Sequence, residues 1–422
     1  MTKLALYGGP KTIKKSFPLY NTIGKEELMA AKAVIESGQL SGFFGSWNEK
    51  FYGGPKVKEF EQAWADTFKV KHAISFNSCT SALISSVGAI GIEPGDEVIV
   101  SPLTMCATAT AILIWNAIPV FADIERKTFN LAPVCIEKQI SSRTKAILVP
   151  DIFGHSANLN AIMKIADKHN LMVIEDAAQS PYAKYNGKFV GTIADIGCFS
   201  LNYHKHIHTG EGGIAVTNND ELAERMQLIR NHAEAVVEEK GVRNLSNMIG
   251  FNFRMGEIEA AIGIEQLKKL PHLTYMRSKT GSKLSNGLNG LKGLKTPGVK
   301  ERCTHSFYIY PIVINREITG VSREKIVKAL QAEGVPCIYG GYQNLHTLPL
   351  YQKKIAYGTK GFPWNSKFYN GNVSYGKGIC PVAETLHDKE LVCLQISQHW
   401  YTEVETNLVI KAFHKVWNNL VK

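Results

Sequence analysis

The sequence predicts an α/β protein with a large domain, built on a mostly parallel seven-stranded sheet flanked by helices, and a smaller α+β C-terminal domain. Between residues 60 and 270, short β-branched runs alternate with helical patterns, as in parallel sheets covered by helices. A strand-like run at 306–314 and a helical pattern at 323–333 follow a Gly/Ser/Lys-rich passage at 278–298. With 422 residues, 45% of them hydrophobic, the chain is long enough for a sizeable core.

The elements follow in chain order. An arm and a helix are expected up to residue 36, and an irregular loop, rich in aromatic residues and glycine, at 43–55. The predicted strands of the large sheet are 72–76, 97–101, 119–122, 146–150, 172–175, 197–200 and 214–217. The predicted helices of this region include 158–169, 220–232 and 254–270. We therefore assign residues 1–280 to the arm and the large domain, and residues 281–422 to the small domain.

Charge and cysteine usage limit the function classes. The net charge of +11 is spread along the chain without a long Lys/Arg run, so we expect no nucleic-acid partner. A basic surface suits an anionic substrate, such as a nucleotide-linked sugar or a phosphate ester. The eight cysteines form no CxxC pair, which favours reduced thiols in a cytoplasmic protein. We expect no signal peptide and no membrane association, because no apolar run approaches the ~20 residues that span a bilayer.

The segment 197–213 is the first candidate for chemistry. It leads from a strand through Ser200 to Lys205 and ends at the glycines Gly210, Gly212 and Gly213. A lysine on a tight loop can hold an aldehyde cofactor as a Schiff base if burial favours its neutral amine. The hydroxyl and the loop amides can bind a phosphate. The alternative is an ordinary solvated loop lysine.

Two further segments supply the other groups that such a site needs. The apolar run 171–175 is typical of a buried parallel strand and ends at Asp176. Ligands bind at the carboxyl ends of such strands. A carboxylate there can keep a pyridine nitrogen protonated, although Asp is also a common helix N-cap. The segment 76–83 opens a helix with small polar residues, which can bind an anion or simply cap the helix.

Five motifs resemble one family along the length of the chain. They are GDEVIV at 95–100, PVFADI at 119–124, EDAAQ at 175–179, TGEGG at 209–213 and GFNFRM at 250–255. The chain resembles the DegT/StrS-type sugar aminotransferases, and its opening at 4–11 resembles the branch with aminocyclitol aminotransferases. The resemblance implies an aspartate aminotransferase-like fold type I and pyridoxal 5'-phosphate as cofactor.

The resemblance also implies roles for individual residues at the cofactor. Lys205 would form the Schiff base and move the proton during transfer. Asp176 would bind the pyridine nitrogen, and Gln179 the 3-oxygen of the ring. Met105 stands where the family commonly places an aromatic residue that stacks on the ring, and a thioether can also pack there.

The remaining implied contacts are at the phosphate. Ser200, Cys79 and Thr80 would hold it, although Cys79 stands where the family usually has glycine. Asn252 matches a residue that reaches the phosphate from the other subunit, or else it is a turn residue between aromatics. The functional interpretation implies a homodimer with shared active sites.

The implied reaction moves an amino group from glutamate or glutamine to a keto sugar, nucleotide-linked or phosphorylated, or to a keto cyclitol. Acceptor contacts are expected from 43–55 and 339–346. A dehydratase on the same fold is one alternative, but one related branch with that activity carries histidine at the position of Lys205. An inert regulatory protein is another. The alternating His204, His206 and His208 could ligate a metal on an extended segment, but we expect no metal site.

Overall fold

Residues 2–421 are described by a computed structural model, and seven strands form its largest sheet. These strands are β1 His72–Phe76, β2 Glu97–Val100, β3 Ile118–Phe121, β4 Thr144–Pro150, β5 Met172–Asp176, β6 Ile196–Ser200 and β7 Gly213–Thr217. Their order across the sheet is β1-β7-β6-β5-β4-β2-β3. Strand β7 pairs antiparallel with both of its neighbours, and the other pairs are parallel. The expected mostly parallel seven-stranded sheet is therefore confirmed.

Both faces of this sheet are buried, and alternate residues of a strand enter different cores. In β2, Val98 and Val100 belong to one apolar cluster, whereas Ile99 belongs to the other. In β4, Leu148 belongs to the first cluster and Ile147 to the second. This arrangement explains why the strands appear as continuous apolar runs in the sequence, since neither face needs polar residues.

Helices cover both faces of the large sheet and continue into the C-terminal part of the chain. They are α1 Lys25–Ser37, α2 Pro55–Phe68, α3 Cys79–Ala89, α4 Cys106–Ile114, α5 Pro133–Gln139, α6 Leu159–His169, α7 Asp220–Arg230, α8 Val237–Lys240, α9 Glu257–Leu288, α10 Arg316–Thr319, α11 Arg323–Ala332, α12 Pro349–Gln352, α13 Pro381–Thr385 and α14 Glu403–Leu420. Short 3-10 or π-helical turns occur at Ala5–Tyr7, Glu49–Tyr52, Ile152–Gly154, Ala233–Ala235, Leu345–Thr347 and Leu386–Glu390.

Helix α9 is much longer than predicted. The pattern predicted a helix over 254–270, but the structure continues through Pro271 to Leu288. Proline removes one backbone hydrogen bond from a helix interior, and the glycines of 278–298 lower helix propensity. Burial of one face, including Leu273, Leu284 and Leu288, outweighs these local costs.

The C-terminal part has its own antiparallel sheet and core. Its strands are β8 Leu294–Lys295, β9 Tyr310–Ile314, β10 Ile338–Gly340 and β11 Leu391–Leu394, in the order β8-β9-β11-β10. Helices α11 and α14 pack here with the end of α9, and the core also takes Leu4, Ile13 and Phe17 from the N-terminal arm. This small α+β unit confirms the predicted fold class, whereas the domain division at residue 280 remains a prediction.

The aromatic loop at 43–55 is irregular except for the turn Glu49–Tyr52, and three of its aromatic residues pack on one another. The ring of Trp47 lies 5.6 Å from that of Phe51 and 5.8 Å from that of Tyr52. Phe43 is buried under the guanidinium groups of Arg230 and Arg254. Within residues 2–421, no helix has the length and apolarity needed to cross a membrane.

Candidate active site

The candidate site is a cavity of about 250 Å³ at the carboxyl end of the parallel strands. Asp151 follows β4, Asp176 ends β5 and Ser200 ends β6, so neighbouring strands deliver three polar side chains to one edge. Ligands bind at this edge in open α/β sheets. Tyr308 and Tyr342, from the C-terminal part of the chain, complete the lining.

Lys205 lies in the turn between β6 and β7, and its side chain is buried against the cavity. Its Nζ lies 4.4 Å from the ring centroid of Tyr308. Among the described residues, Nζ of Lys205 donates no hydrogen bond and forms no ion pair, so the amine is free to react. Burial lowers the pKa of Lys205 and the positive charge of Arg277 adds to this, while Cys79 and Asp176 oppose it. The amine is thus closer to its neutral, nucleophilic form than an ordinary lysine.

Asp176 is held by a chain of hydroxyl groups. Thr108 Oγ1 donates to Asp176 Oδ2 at 2.8 Å, and Thr104 Oγ1 lies 3.0 Å from Thr108 Oγ1. The backbone N–H of Ala178 donates to Asp176 Oδ1 at 3.2 Å. Burial raises the pKa of Asp176, whereas these hydrogen bonds and the charge of Lys205 lower it. A protonated ring nitrogen beside it would favour the charged carboxylate further.

Gln179 joins the cavity to two other segments. Its Oε1 accepts from the backbone N–H of Phe153 at 2.9 Å, and its Nε2 donates to the hydroxyl of Tyr342 at 3.0 Å. The amide is therefore fixed in orientation before any ligand enters. Because Tyr342 follows β10, this bond connects the large sheet to the C-terminal unit.

A cradle for an anion lies at the N-terminus of α3. Ser78 caps this helix by accepting from the N–H of Ser81 at 3.1 Å, while the first amides, at Cys79 and Thr80, have no partner within the helix. Gly213 lets β7 approach this end closely, since a Cβ there would lie 2.4 Å from the backbone nitrogen of Cys79. Cys79 and Thr80 line the cavity next to Ser200.

These features fit pyridoxal 5'-phosphate. The amine of Lys205, the carboxylate of Asp176 and the anion cradle at α3 border one cavity. Two lining side chains also keep a buried oxygen without a hydrogen-bond partner, namely Asn202 Oδ1 and Asp151 Oδ2. Buried polar atoms are almost always hydrogen-bonded, so the lining is set up for a polar occupant.

The structure brings together seven of the eight predicted site residues. Those lining the cavity are Cys79, Thr80, Met105, Asp176, Gln179, Ser200 and Lys205. Met105 is 51% exposed at the open side, where it precedes α4. Asn252 is exposed and outside the cavity, with its carbonyl 3.5 Å from Asn77 Nδ2. The roles of these residues remain predictions.

Sequence reasoning did not single out Thr108, Asp151 or Tyr308, which contact the cavity or its groups. Tyr342 lies in the segment 339–346, which was expected to contact the acceptor, and it lines the cavity. A signal existed for Asp151, because it ends the apolar run of β4 as Asp176 ends that of β5. Tyr308 is more than 100 residues away in sequence from Lys205, so no local pattern relates the two residues.

The three alternating histidines do not converge on one point, because their segment is a series of turns and not an extended strand. His204 lines the cavity, His206 Nε2 lies 2.9 Å from the carbonyl of Ser306, and His208 Nδ1 accepts from the N–H of Gly210 at 3.3 Å. Over residues 2–421, no group of three His, Cys, Asp or Glu side chains is placed to bind a metal.

The chain is similar to known proteins over most of its length. Residues 22–396 match the profile of the DegT/DnrJ/EryC1/StrS aminotransferase family. The chain is 37% identical to GDP-perosamine synthase of Caulobacter vibrioides over 71% of its length and 79% of that protein. It is 31% identical to L-glutamine:2-deoxy-scyllo-inosose aminotransferase of Streptoalloteichus tenebrarius over 82% of its length and 83% of that protein. An aminotransferase structure from Psychrobacter cryohalolentis superimposes with a TM-score of 0.79 at 29% identity, covering 96% of this chain and 100% of that one.

Proposed function

The chain belongs to the DegT/DnrJ/EryC1/StrS aminotransferase family and is a pyridoxal-phosphate-dependent aminotransferase, and we propose that it passes an amino group from glutamate or glutamine to a keto sugar or keto cyclitol. The observation that carries this proposal is the free amine of Lys205 in the same buried cavity as Asp176.

When bound, pyridoxal phosphate supplies an electron sink for the carbon from which a proton is removed. Asp176, fixed by Thr108, would hold the ring nitrogen in its protonated form. The α3 cradle and Ser200 would anchor the phosphate. Lys205, with an amine freed from hydrogen bonds, would hold the cofactor and then carry a proton between the substrate carbon and the cofactor. Tyr308, which lies against Lys205 Nζ, would limit the directions in which the amine moves.

The acceptor class is supported by a second cavity next to the first. It has a volume of about 340 Å³ and shares Met105, Tyr308 and Tyr342 with the candidate site. Its further lining includes Tyr339, Gln343 and Gln395. Aromatic faces beside amide groups suit a hydroxylated ring, which has apolar faces and a polar rim. Two similar proteins, a GDP-perosamine synthase and an L-glutamine:2-deoxy-scyllo-inosose aminotransferase, carry the names of compounds of the same class.

The test is a pair of half-reactions on the purified, cofactor-loaded protein. Glutamine and glutamate are tried first as donors, with the cofactor absorbance followed. A panel of keto inositols, nucleotide-linked keto sugars and 2-keto acids is then tried for recovery of the original spectrum. Recovery with a polyol ketone supports the proposal. Turnover with 2-keto acids alone, or loss of water from the sugar without amino transfer, contradicts it.

Lys205→Ala is the matching variant. It is expected to lose the visible band of the covalently held cofactor and all turnover, while still binding the cofactor reversibly. Lys188→Ala is the control, because Lys188 is exposed on a hairpin away from the cavity. Full activity in Lys205→Ala would exclude Lys205 as the cofactor-holding lysine.

The proposal includes a homodimer and a cytoplasmic location. Asn252 is exposed and outside its own chain's cavity, as expected of a residue that serves the partner's phosphate. All eight cysteines are free thiols, which agrees with a reducing compartment.

A further inference from the structure

Arg277 of α9 is a buried guanidinium directly behind the loop that carries Lys205. Its side chain is only 5% exposed. Nη2 donates to the backbone carbonyl of Lys205 at 3.4 Å, and the guanidinium lies 4.3 Å from the ring centroid of Tyr20. Tyr20 is itself fixed, since its hydroxyl donates to the carbonyl of His206 at 2.7 Å.

This guanidinium has no compensating negative charge in the described chain. Among residues 2–421, no Asp or Glu forms an ion pair with Arg277, and its Nε and Nη1 have no hydrogen-bond partner. Its ionisable neighbours are Lys205, His204 and His206, which add no negative charge, together with the neutral hydroxyls of Tyr20 and Tyr308. Arginine stays protonated in proteins. A buried charge left unpaired is strongly unfavourable, so an anion bound beside Arg277 would stabilise the folded chain.

Arg277 lines a small cavity that is also bordered by a residue with an unsatisfied donor. The cavity measures about 30 Å³ and is bordered by Tyr20, Thr280, His399, Trp400 and Tyr401 as well. The hydroxyl of Tyr401 is buried and has no hydrogen-bond partner. One water needs roughly 10–15 Å³ on this measure, so the cavity accepts a small ion but no sugar or phosphate ester.

We propose that the cavity between Arg277 and Tyr401 binds a small monovalent anion, of which chloride is the model. The guanidinium nitrogens Nε and Nη1 and the Tyr401 hydroxyl would donate to it. The binding site is separate from the cofactor cavity, because neither Arg277 nor Tyr401 lines that cavity. Anion binding to the folded chain alone would stabilise it in a saturable way.

The experiment compares thermal unfolding of the full chain in sodium chloride and in sodium gluconate at equal ionic strength. Gluconate is too large for the cavity. The wild-type melting temperature is expected to rise with chloride and to follow the logarithmic form of a single site, without a matching rise in gluconate. Arg277→Met should lose the chloride-specific response.

The control variant is Arg225→Met. Arg225 is equally buried, but its guanidinium donates to the carbonyls of Ala89, Asn244 and Ser246. Its loss should lower stability and leave the chloride response intact. If folded Arg277→Met shows the same chloride-dependent rise in melting temperature as wild type, the proposal is overturned. The rise would then come from the basic charge of the surface in general.

Tyr401→Phe keeps the proposal testable if Arg277→Met does not fold. Removing this unpartnered hydroxyl disturbs no existing hydrogen bond, and it should weaken the chloride midpoint about three- to tenfold. Crystals soaked in bromide provide the direct measurement. An anomalous peak between Arg277 and Tyr401 supports the site, whereas an unchanged midpoint in Tyr401→Phe with no peak there overturns it.

Discussion

At the scale of single residues, the state of Asp176 depends on a hydroxyl that does not line the cavity. Thr108 donates to Asp176 at 2.8 Å, and this bond opposes the effect of burial on the carboxyl pKa. A hydrogen bond to a charged group contributes about 1.5–3 kcal/mol. Thr108 is therefore a positioning residue that favours the charged form of Asp176.

Thr108→Val is expected to weaken the binding of pyridoxal phosphate by roughly ten- to a hundredfold, because it removes a hydrogen bond to a charged carboxylate. The measurement is a spectroscopic titration of cofactor-free protein. Thr67→Val serves as control, since the Thr67 hydroxyl donates to the carbonyl of Ala63 in α2. An affinity equal to wild type in Thr108→Val would show that Asp176 does not need this hydroxyl.

Asp151 gives a prediction about pH. Burial raises the pKa of this carboxyl well above its ordinary value, and the charge of Glu175 adds to the rise. Above the ordinary carboxyl pKa, the unfolded chain ionises while the folded chain resists ionisation, so Asp151 lowers stability as pH rises through this window. Asp151→Asn can still accept from the N–H of Ala157 and has no charge to bury.

The cofactor-free Asp151→Asn variant should therefore unfold at a higher temperature than wild type at neutral pH. This difference should shrink as pH falls through about 4, where an ordinary carboxyl protonates. Melting temperatures across a pH series provide the measurement. If the variant's melting temperature exceeds that of wild type by the same amount at every pH, titration of Asp151 is not the source of the difference.

At the scale of elements, β6 can approach the loop before it only because Gly197 lacks a side chain. A Cβ at Gly197 would lie 1.8 Å from the carbonyl oxygen of Gly191. The same loop is tied to β5, since the carboxylate of Glu175 accepts from the N–H groups of Gly191, Ile193 and Ala194. The strand that ends at Ser200 is thus held by close backbone contact with this loop as well as by the packing of its buried side chains.

Gly197→Ala is expected to destabilise the fold by about 3 kcal/mol or more, because the obstacle is backbone and cannot rotate away. Denaturant unfolding measures this cost. Gly376→Ala is the control, since its Cβ would meet only Ser374 Oγ at an ordinary 3.5 Å. A small cost at Gly197, similar to that at Gly376, would show that the loop before β6 yields easily.

At the scale of the whole molecule, the proposed dimer can be tested by mixing two inactive chains. If Asn252 serves the partner's phosphate, Lys205→Ala and Asn252→Ala chains would form heterodimers with one intact site and one doubly altered site. Random reassociation should then restore about one quarter of wild-type activity. Sedimentation of the mixture provides the assembly state, and an active monomer at low concentration would contradict the shared site.

Much of the fold followed from local sequence. Each strand of the large sheet lies within two residues of its predicted bounds, because strands buried on both faces appear as apolar runs. Helix α9 shows the limit of this reasoning. Its extension from residue 270 to Leu288 depends on packing against α14 and the N-terminal arm, which propensity does not encode.

Local sequence is sufficient to predict Lys205, Asp176 and the small polar start of α3 as site residues, because they lie at the ends of elements whose type is set locally. Only the folded chain shows which distant groups lie against them. Three such groups come from separate parts of the chain: Thr108 contacts Asp176, Tyr308 lies against the Lys205 amine, and Arg277 donates to the Lys205 carbonyl. Their burial and charge act through space, and the distances that govern electrostatics and hydrogen bonding exist only once the chain has folded.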